Sequence, residues 1–387
     1  MTTATETHQQ KADLPPPAAT VGIVGWLREN LFGSVPSTIL TLLAAYILYL
    51  VVPPLVSWSI INATWTGADS NACKLADGAR KDGACWIYIQ AWIGGYMYGL
   101  YPYDLRWRID IAAVLAVVMF APLAIKRLPY KDLYGIAVIL LYPVVAYFMF
   151  KGFIDFAPGA PGSTDHPWRV VQTDKWGGLA LTLLIASVGI IASLPLGVLL
   201  ALGRRSTMPI VSTFSVLFIE LWRGVPLITV LFMSSVMLPL FLPEGVNFDK
   251  LLRALIGVTL FSAAYMAEVI RGGLQAIPKG QYEAAMALGL NYPRMMALIV
   301  LPQALRYVIP NIVNTFIGLF KDTTLVAIIG MFDLLGAIQL GNADPKWLGF
   351  SIEGYAFAAV LYFVFCYGMS RYSQHLERKL HTGHKKR

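Results

Sequence analysis

Charge is scarce in this chain. Only 13% of its 387 residues are Asp, Glu, Lys or Arg, against 57% hydrophobic residues, which excludes a soluble globule with an ordinary solvated surface. Histidines number five, scattered and mostly near the termini, and cysteines three. No H-E-x-x-H pair is present and no serine sits in a G-x-S-x-G elbow, so the common metal-hydrolase and serine-hydrolase patterns are missing. A G-x-x-x-x-G-K-[ST] loop is missing too, and without it the chain cannot hydrolyse ATP by itself. We expect no catalytic residue, no metal ligand and no cofactor in this chain. The formal charge of +8 does not argue for nucleic acid, because the basic residues sit mainly at the ends of apolar runs and in the C-terminal tail, with no stacking aromatics interleaved in a soluble patch.

Long apolar runs are what the chain does have, and about twenty residues of helix cross the hydrocarbon core. The expected fold class is an all-α polytopic membrane protein with about eight transmembrane helices. Residues 1–20 are polar and proline-bearing and read as a tail, not a signal peptide, because the first apolar run starts late and no small-residue cleavage site follows it closely. The first span covers roughly Ser37–Ile60, with Pro53-Pro54 kinking or ending it. A hydrophilic stretch at 62–108 follows, then spans near Ile111–Ile125 and Leu133–Phe150, then a Gly/Pro-rich linker, APGAPGSTDHP. A fourth span runs from Trp176 to Leu202. Met208–Leu242 is too long for one span, and splitting it at Arg223-Gly224 gives an interfacial helix and a fifth span over Val225–Leu242. Spans near Leu255–Leu274, from Tyr307 onward, and at Ile352–Met369 complete the set. With both termini in the cytoplasm, Lys126, Arg127, Lys131, Arg204, Arg205 and the basic end of the chain all fall on the inner side, as the positive-inside tendency requires. The expected organisation is therefore a cytoplasmic tail over 1–35, a three-span N-terminal extension over 36–172, a five-span core over 173–375 and a basic cytoplasmic tail over 376–387.

Pro278–Leu305 is polar and helix-forming, between two spans. Gln281–Leu288 reads as a short helix with Gly280 at its N-cap, Glu283 in the first turn, where the dipole favours an anion, and Gly289 in the left-handed C-terminal position. Asn291 caps a second helix with Pro293 in its first turn. Such a helix–turn–helix on the cytoplasmic side is suited to gripping another protein. Glu283-Ala284-Ala285, Gly289, Ile299 and Leu301-Pro302, at these spacings, resemble the EAA loop of the membrane subunits of binding-protein-dependent ABC importers. The resemblance implies that this loop, 278–305, carries the coupling helix that seats on a separate ATPase chain, the chain that would hold ATP and Mg. It also implies an importer type I-like five-helix core.

Glu220-Leu221-Trp222-Arg223-Gly224-Val225-Pro226-Leu227 and Tyr265-Met266-Ala267-Glu268-Val269-Ile270-Arg271-Gly272-Gly273-Leu274 look like two segments of the polar amino-acid permeases of that superfamily. The longer layout is similar to the larger membrane subunits of general L-amino-acid importers of Gram-negative bacteria. Glu268 and Arg271, three apart, share a helix face and can pair. Glu220, Arg223, Glu268 and Arg271 read equally as an ion-pair network that merely holds helices at the interface.

Lys321-Asp322-Thr323-Thr324 breaks the seventh span. Counting from Tyr307, Lys321 lies about 20 Å in, where ionisable residues are expensive. Asn314, Lys321, Asp322, Thr323 and Thr324 are candidates to line a translocation path, with unwound backbone there; a Lys–Asp pair burying itself at a helix break is the other reading. Cys73 and Cys85 share the outer loop and are candidates for a disulfide, while Cys366 reads as packing. The expected function is the permease subunit of an ATP-driven importer of polar or acidic L-amino acids in a bacterial inner membrane. Its expected partners are the ATPase, a second related permease or a copy of itself, a periplasmic amino-acid-binding protein and membrane lipid. Two other readings remain: an ATP-independent secondary transporter or channel, which should show an internal repeat with paired broken helices that is not found, and a non-transporting receptor or assembly subunit, which leaves the polar stretch of the seventh span unexplained.

Overall fold

The computed structural model describes residues 22–125, 129–155, 166–243 and 248–380. Among them every regular element is helical, and extended residues meet only in isolated bridges. An apolar chain in a bilayer has to satisfy its backbone internally, and helices do so within one segment. Six described helices are long and apolar enough to cross a membrane, and a bent helix pair makes a seventh candidate.

The chain forms two compact units, residues 1–87 and 88–387. In the first, helices α1 (Gly22–Leu31) and α2 (Val35–Val56) are joined by a short bend. The Ser34 side chain caps α2 by accepting from the Ser37 N–H, and the Thr41 hydroxyl donates to the Leu31 carbonyl at 2.9 Å. Pro53-Pro54 do not end the span, as the α-helix continues to Val56 and a π-helical turn carries it to Ile61. Beyond it, Cys73 and Cys85 are joined in a disulfide, and the Trp86 indole N–H donates to the Ser59 carbonyl at 2.8 Å.

The second unit holds residues on both sides of the expected boundary between extension and core at 172–173. Residues 88–172 belong to the same compact unit as the core, and the supposed hydrophilic loop 62–108 holds a helix, α3 (Trp86–Tyr98). Aromatic residues make it one: the Tyr88 hydroxyl donates to Asn342 Oδ1 at 2.7 Å, Trp92 Nε1 to Asp344 Oδ2 at 3.3 Å, and Tyr96 lies against Phe357 with ring centroids 5.7 Å apart. The next helix, α4 (Trp107–Phe120), starts earlier than the expected span at 111–125 and is alone too short to cross. A 3₁₀ turn over Ala121–Ala124 extends it to about 29 Å at the usual helical rises. The early start takes in two charges: Arg108 is fully buried, donating to the carbonyls of Pro167 and Arg169, and Asp110 accepts from the Tyr98 hydroxyl. Helix α5 (Lys131–Lys151) follows; Lys126, Arg127, most of the Gly/Pro-rich linker and the last seven residues lie outside the described residues.

Helices α6 (Gly178–Arg204), α7 (Pro209–Gly224), α8 (Leu227–Phe232), α9 (Leu238–Phe241) and α10 (Lys250–Gln275) come next. The helix over 209–224 and the one over 227–241 meet at 102° where the sequence reading split them, because Pro226 cannot continue a helix through its predecessor. α10 is the most buried of the spans and packs against α6, α7, α8 and a later helix, α13 (Leu301–Asp322). Gly273 permits that last contact: a Cβ there would lie 2.6 Å from the Ala304 carbonyl oxygen. The chain ends with α14 (Leu334–Asn342) and α15 (Ser351–Leu380), the latter running into the expected basic tail.

Candidate functional site

The polar segment after α10 forms helix α11 (Lys279–Ala287), then α12 (Tyr292–Met295). Pro278, not Gly280, occupies the N-cap, so Gly280 lies within the first turn and Glu283 beyond it. Proline's fixed φ suits the start of a helix better than glycine's freedom does. The C-terminal end is as expected: Gly289 has φ +75°, the Gly289 N–H donates to Met286 O and the Leu290 N–H to Ala285 O, a Schellman-type closure. No atom lies within 4 Å of a Cβ built on Gly289, so nothing within the described chain crowds that turn. The Asn291 side chain caps α12 by accepting from the Arg294 N–H. α12 does not stop before the seventh span; a π-helical turn over Met296–Val300 joins it to α13, giving a helical run from Tyr292 to Ile329.

Burial along the EAA segment is one-sided. Ala285 is fully buried in a cluster with Ile270, Leu274, Met296, Val300 and Ala304, on which Ile299 and Leu301 pack half-buried. Glu283, Ala284, Gly289 and Pro302 are exposed. α11 is thus anchored by one small residue, where a larger one would push it off, and presents its remaining face outward. Tyr282 supplies the polar tie: its hydroxyl accepts from Arg205 Nη1 and donates to the Leu274 carbonyl, both at 3.3 Å, with the guanidinium 5.8 Å from the ring centroid. Gln303 Nε2 donates to Gln281 Oε1 at 3.1 Å. A pocket of about 440 Å³ opens beside the helix among Arg205, Leu274, Ile277, Lys279, Tyr282 and Met286.

Next to this tie lies the charge network. Glu220, Arg223, Glu268 and Arg271 are brought together, and Arg204 joins them. Glu268, with a side chain 16% exposed, is the centre. Arg271 holds its Oε2 through Nε and Nη2 at 2.9 and 2.8 Å, and Arg204 Nη1 reaches Oε1 at 2.8 Å. Arg204 also holds Glu220 at 2.9 Å, while Arg223 stands 3.9 Å from Glu268 and lies over Tyr265. Three helices, α6, α7 and α10, are therefore pinned at one carboxylate. Arg204 and Arg205 are neighbours at the end of α6, one bound to this network and the other to α11.

At the far end of α13 the expected break is a tightening, not an unwinding. The α-helix ends at Asp322 and continues as a 3₁₀ helix over Thr323–Ile329, with Gly330 at φ +73°. The Thr323 hydroxyl donates to Phe320 O and that of Thr324 to Lys321 O, each three residues back, the i−3 spacing of a 3₁₀ turn. Asn314 and Lys321 are exposed, Asp322 and Thr324 half-buried and Thr323 buried. No ion pair joins Lys321 to Asp322 among the described residues, since side chains of adjacent helical residues point apart. Cys366 is a free, half-buried thiol.

The sequence matches proteins of known class. Residues 193–382 match the family described as binding-protein-dependent transport system inner membrane component. An inner membrane amino-acid ABC transporter permease protein, YhdY of Escherichia coli strain K12, is 53% identical over 359 residues, covering 92% of this chain and 93% of that protein. The chain belongs to this permease family. The glutamate/glutamine/aspartate/asparagine transport system permease protein BztC of Rhodobacter capsulatus is 41% identical over 97% of both chains. A probable glutamine ABC transporter permease, GlnP of Bacillus subtilis, is 34% identical and matches only 52% of this chain but 91% of its own length. The permease is thus a longer form of a unit that exists alone. As a member of this family it is a transport component and not an enzyme.

Sequence reasoning missed Arg204, Arg205 and Tyr282 in the site. Arg204 and Arg205 read only as inner-side charges at a span end, and nothing in the sequence separated by 64 and 77 residues links them to Glu268 or Tyr282. Tyr282 carried a signal, being the aromatic residue beside the EAA positions.

Proposed function

We propose that this permease is the membrane subunit of an ATP-driven importer of polar or acidic L-amino acids in which α11 is the coupling helix. The observation that carries the reading is the pair Arg204–Arg205. One arginine holds the carboxylate that pins three spans, and the next holds Tyr282 on α11, so a push on α11 reaches the spans through the end of α6. The substrate class is supported by BztC and YhdY, whose descriptions name amino acids.

In this reading a separate ATPase chain, carrying ATP and Mg, grips the exposed residues Glu283 and Ala284 and the turn at Gly289. A periplasmic amino-acid-binding protein delivers substrate to the opposite face, and a second permease, related or identical, completes the path. Both termini lie in the cytoplasm. Asn314, Lys321, Asp322, Thr323 and Thr324 line the path. The lack of an ion pair between Lys321 and Asp322 among the described residues supports that role over a self-buried pair. ATPase closure then biases one of two access states through α11.

The test is purification through a C-terminal tag in mild detergent, with mass spectrometry of what co-purifies. A stoichiometric chain bearing a phosphate loop, lost in the Gly289→Asp variant, is the expected result. Recovery of the permease without an ATPase in several detergents would refute the coupling.

A further inference from the structure

We infer that the outer end of α10 carries a receiving subsite for the amino acid's α-carboxylate, built on Arg253. This rests on the amino-acid-import reading and names a second station on its route, apart from the residues around Lys321.

Arg253 lies one turn into α10, at the opposite end of that helix from Glu268 and α11. The residue is only 7% exposed, yet among the described residues its side chain makes one hydrogen bond, from Nη1 to the Ser235 carbonyl, and its Nε has no partner. No carboxylate lies within ion-pair distance of it among the described residues. A guanidinium has five N–H donors, and a buried one without a counter-charge bears the desolvation cost of an ion. Asp249 is near in sequence but already committed: its carboxylate accepts from the N–H groups of Leu251 and Leu252 and from the Thr173 hydroxyl at 2.6 Å. With Asp249 held in those bonds, Arg253 has no ion-pair partner among the described residues.

Arg253 lines a pocket of about 340 Å³ with Gln172, Thr173, Asp174, Asp249 and Lys250. Two cations therefore line the pocket, one buried and one half-buried, and the exposed carboxylate of Asp174 shares that lining. That is the charge pattern of a free amino acid in reverse, cations for its carboxylate and an anion for its ammonium. The burial of Arg253 selects the size of the ligand. A folded partner's surface cannot reach a side chain so enclosed, whereas a small carboxylate entering the pocket can, and a planar fork suits it.

The decisive measurement is equilibrium binding of radiolabelled L-glutamine, L-glutamate, L-aspartate and L-asparagine to the permease–ATPase complex in nanodiscs, without the binding protein. Arg253→Gln and Lys250→Gln should each weaken binding of at least one probe by roughly tenfold or more, the loss of a charge-assisted hydrogen bond. The α-carboxamide of glutamine should fail to compete. Wild-type affinity in both cation variants overturns the subsite. So does native mass spectrometry showing that Arg253 retains phosphatidylglycerol while amino-acid binding is unchanged, which assigns the charge to a lipid phosphate. Should Arg253→Gln fail to assemble, Arg253→Lys, which keeps the charge and loses the fork, and the Lys250→Gln and Asp174→Asn variants decide by the same criterion. If the wild-type complex with its binding protein moves none of the four amino acids into vesicles, the import reading fails and takes the subsite with it; if it moves them and the variants bind normally, the subsite alone fails.

Discussion

Replacing Glu268 with alanine should destabilise this permease more than any other single change in the charge network beside α11. The side chain is 16% exposed and faces Arg204, Arg271 and Arg223, at 2.8, 2.8 and 3.9 Å. Its removal leaves three guanidinium groups with one remaining carboxylate, Glu220, which contacts only Arg204. Breaking a buried pair from one side costs about 3–5 kcal/mol, and an exposed pair about 0–1. The arginines here are 24–36% exposed, which places Glu268→Ala between those limits, at about 2–3 kcal/mol. Glu220 is 54% exposed and shares its arginine with Glu268, so Glu220→Ala should cost under about 1 kcal/mol. The assay is a double-mutant cycle on Glu268→Ala and Arg271→Ala by denaturant unfolding in detergent, with uptake per ATP hydrolysed as a second readout. Because Arg271 bonds only Glu268, the double variant should fall short of the sum of the singles by about 1 kcal/mol or more. Additive costs, or a Glu220→Ala effect as large as that of Glu268→Ala, would refute the claim that one carboxylate pins α6, α7 and α10.

Tyr282→Phe keeps the ring under Arg205 and removes both hydrogen bonds of its hydroxyl, so it should cost about 1 kcal/mol; in reconstituted vesicles, ATP hydrolysis should continue while uptake per ATP falls. Asp104 is held below the usual carboxylate range by the Arg169 guanidinium, which bonds it at 2.7 and 3.1 Å. A carboxyl depressed in the folded state adds stability that is fully present above its unfolded value and is lost as pH falls through its folded one. The thermal midpoint difference between wild type and Asp104→Asn should therefore be constant from neutral pH down to about 5 and shrink below about 4; a difference that grows with acid would contradict the assigned cause. Removing the Cys73–Cys85 bridge, which closes a loop of twelve residues' separation, should cost about 3 kcal/mol locally in the chain-entropy account. Limited proteolysis should then cut between residues 62 and 85 faster in Cys73→Ser/Cys85→Ser than in the oxidised wild type.

Local signals were legible wherever the cause lay within a few residues. Gly289 takes its left-handed conformation because the helix must end there, Asn291 caps because its side chain reaches the next turn, and the chain bends at Gly224–Pro226 because proline forbids continuation. Other local readings failed for reasons equally physical. Gly280 yielded the N-cap to Pro278, and α12 fused with α13 because nothing between Met296 and Val300 breaks a helix. The stretch from Lys321 to Thr324 tightened to 3₁₀ instead of unwinding, since Thr323 and Thr324 satisfy the carbonyls three residues back. Aromatic side chains turned part of the 62–108 stretch into α3, a result of contacts with residues about 250 positions away.

Residue order alone identified a helical membrane protein, where most spans begin and end, and a loop that resembles an importer's EAA segment. Hydrophobic length, helix caps and motif spacing are properties of neighbouring residues, and they survive without coordinates. It took packing in three dimensions to establish that Glu268 draws in Arg204 from another span, that Arg205 grips Tyr282 on α11, that residues 88–172 fall in one unit with the core, and that Arg253 is buried with no carboxylate within ion-pair distance among the described residues. Those outcomes depend on which helix faces meet, and that is set by close packing between segments far apart in the chain, as where Gly273 lets α13 approach α10.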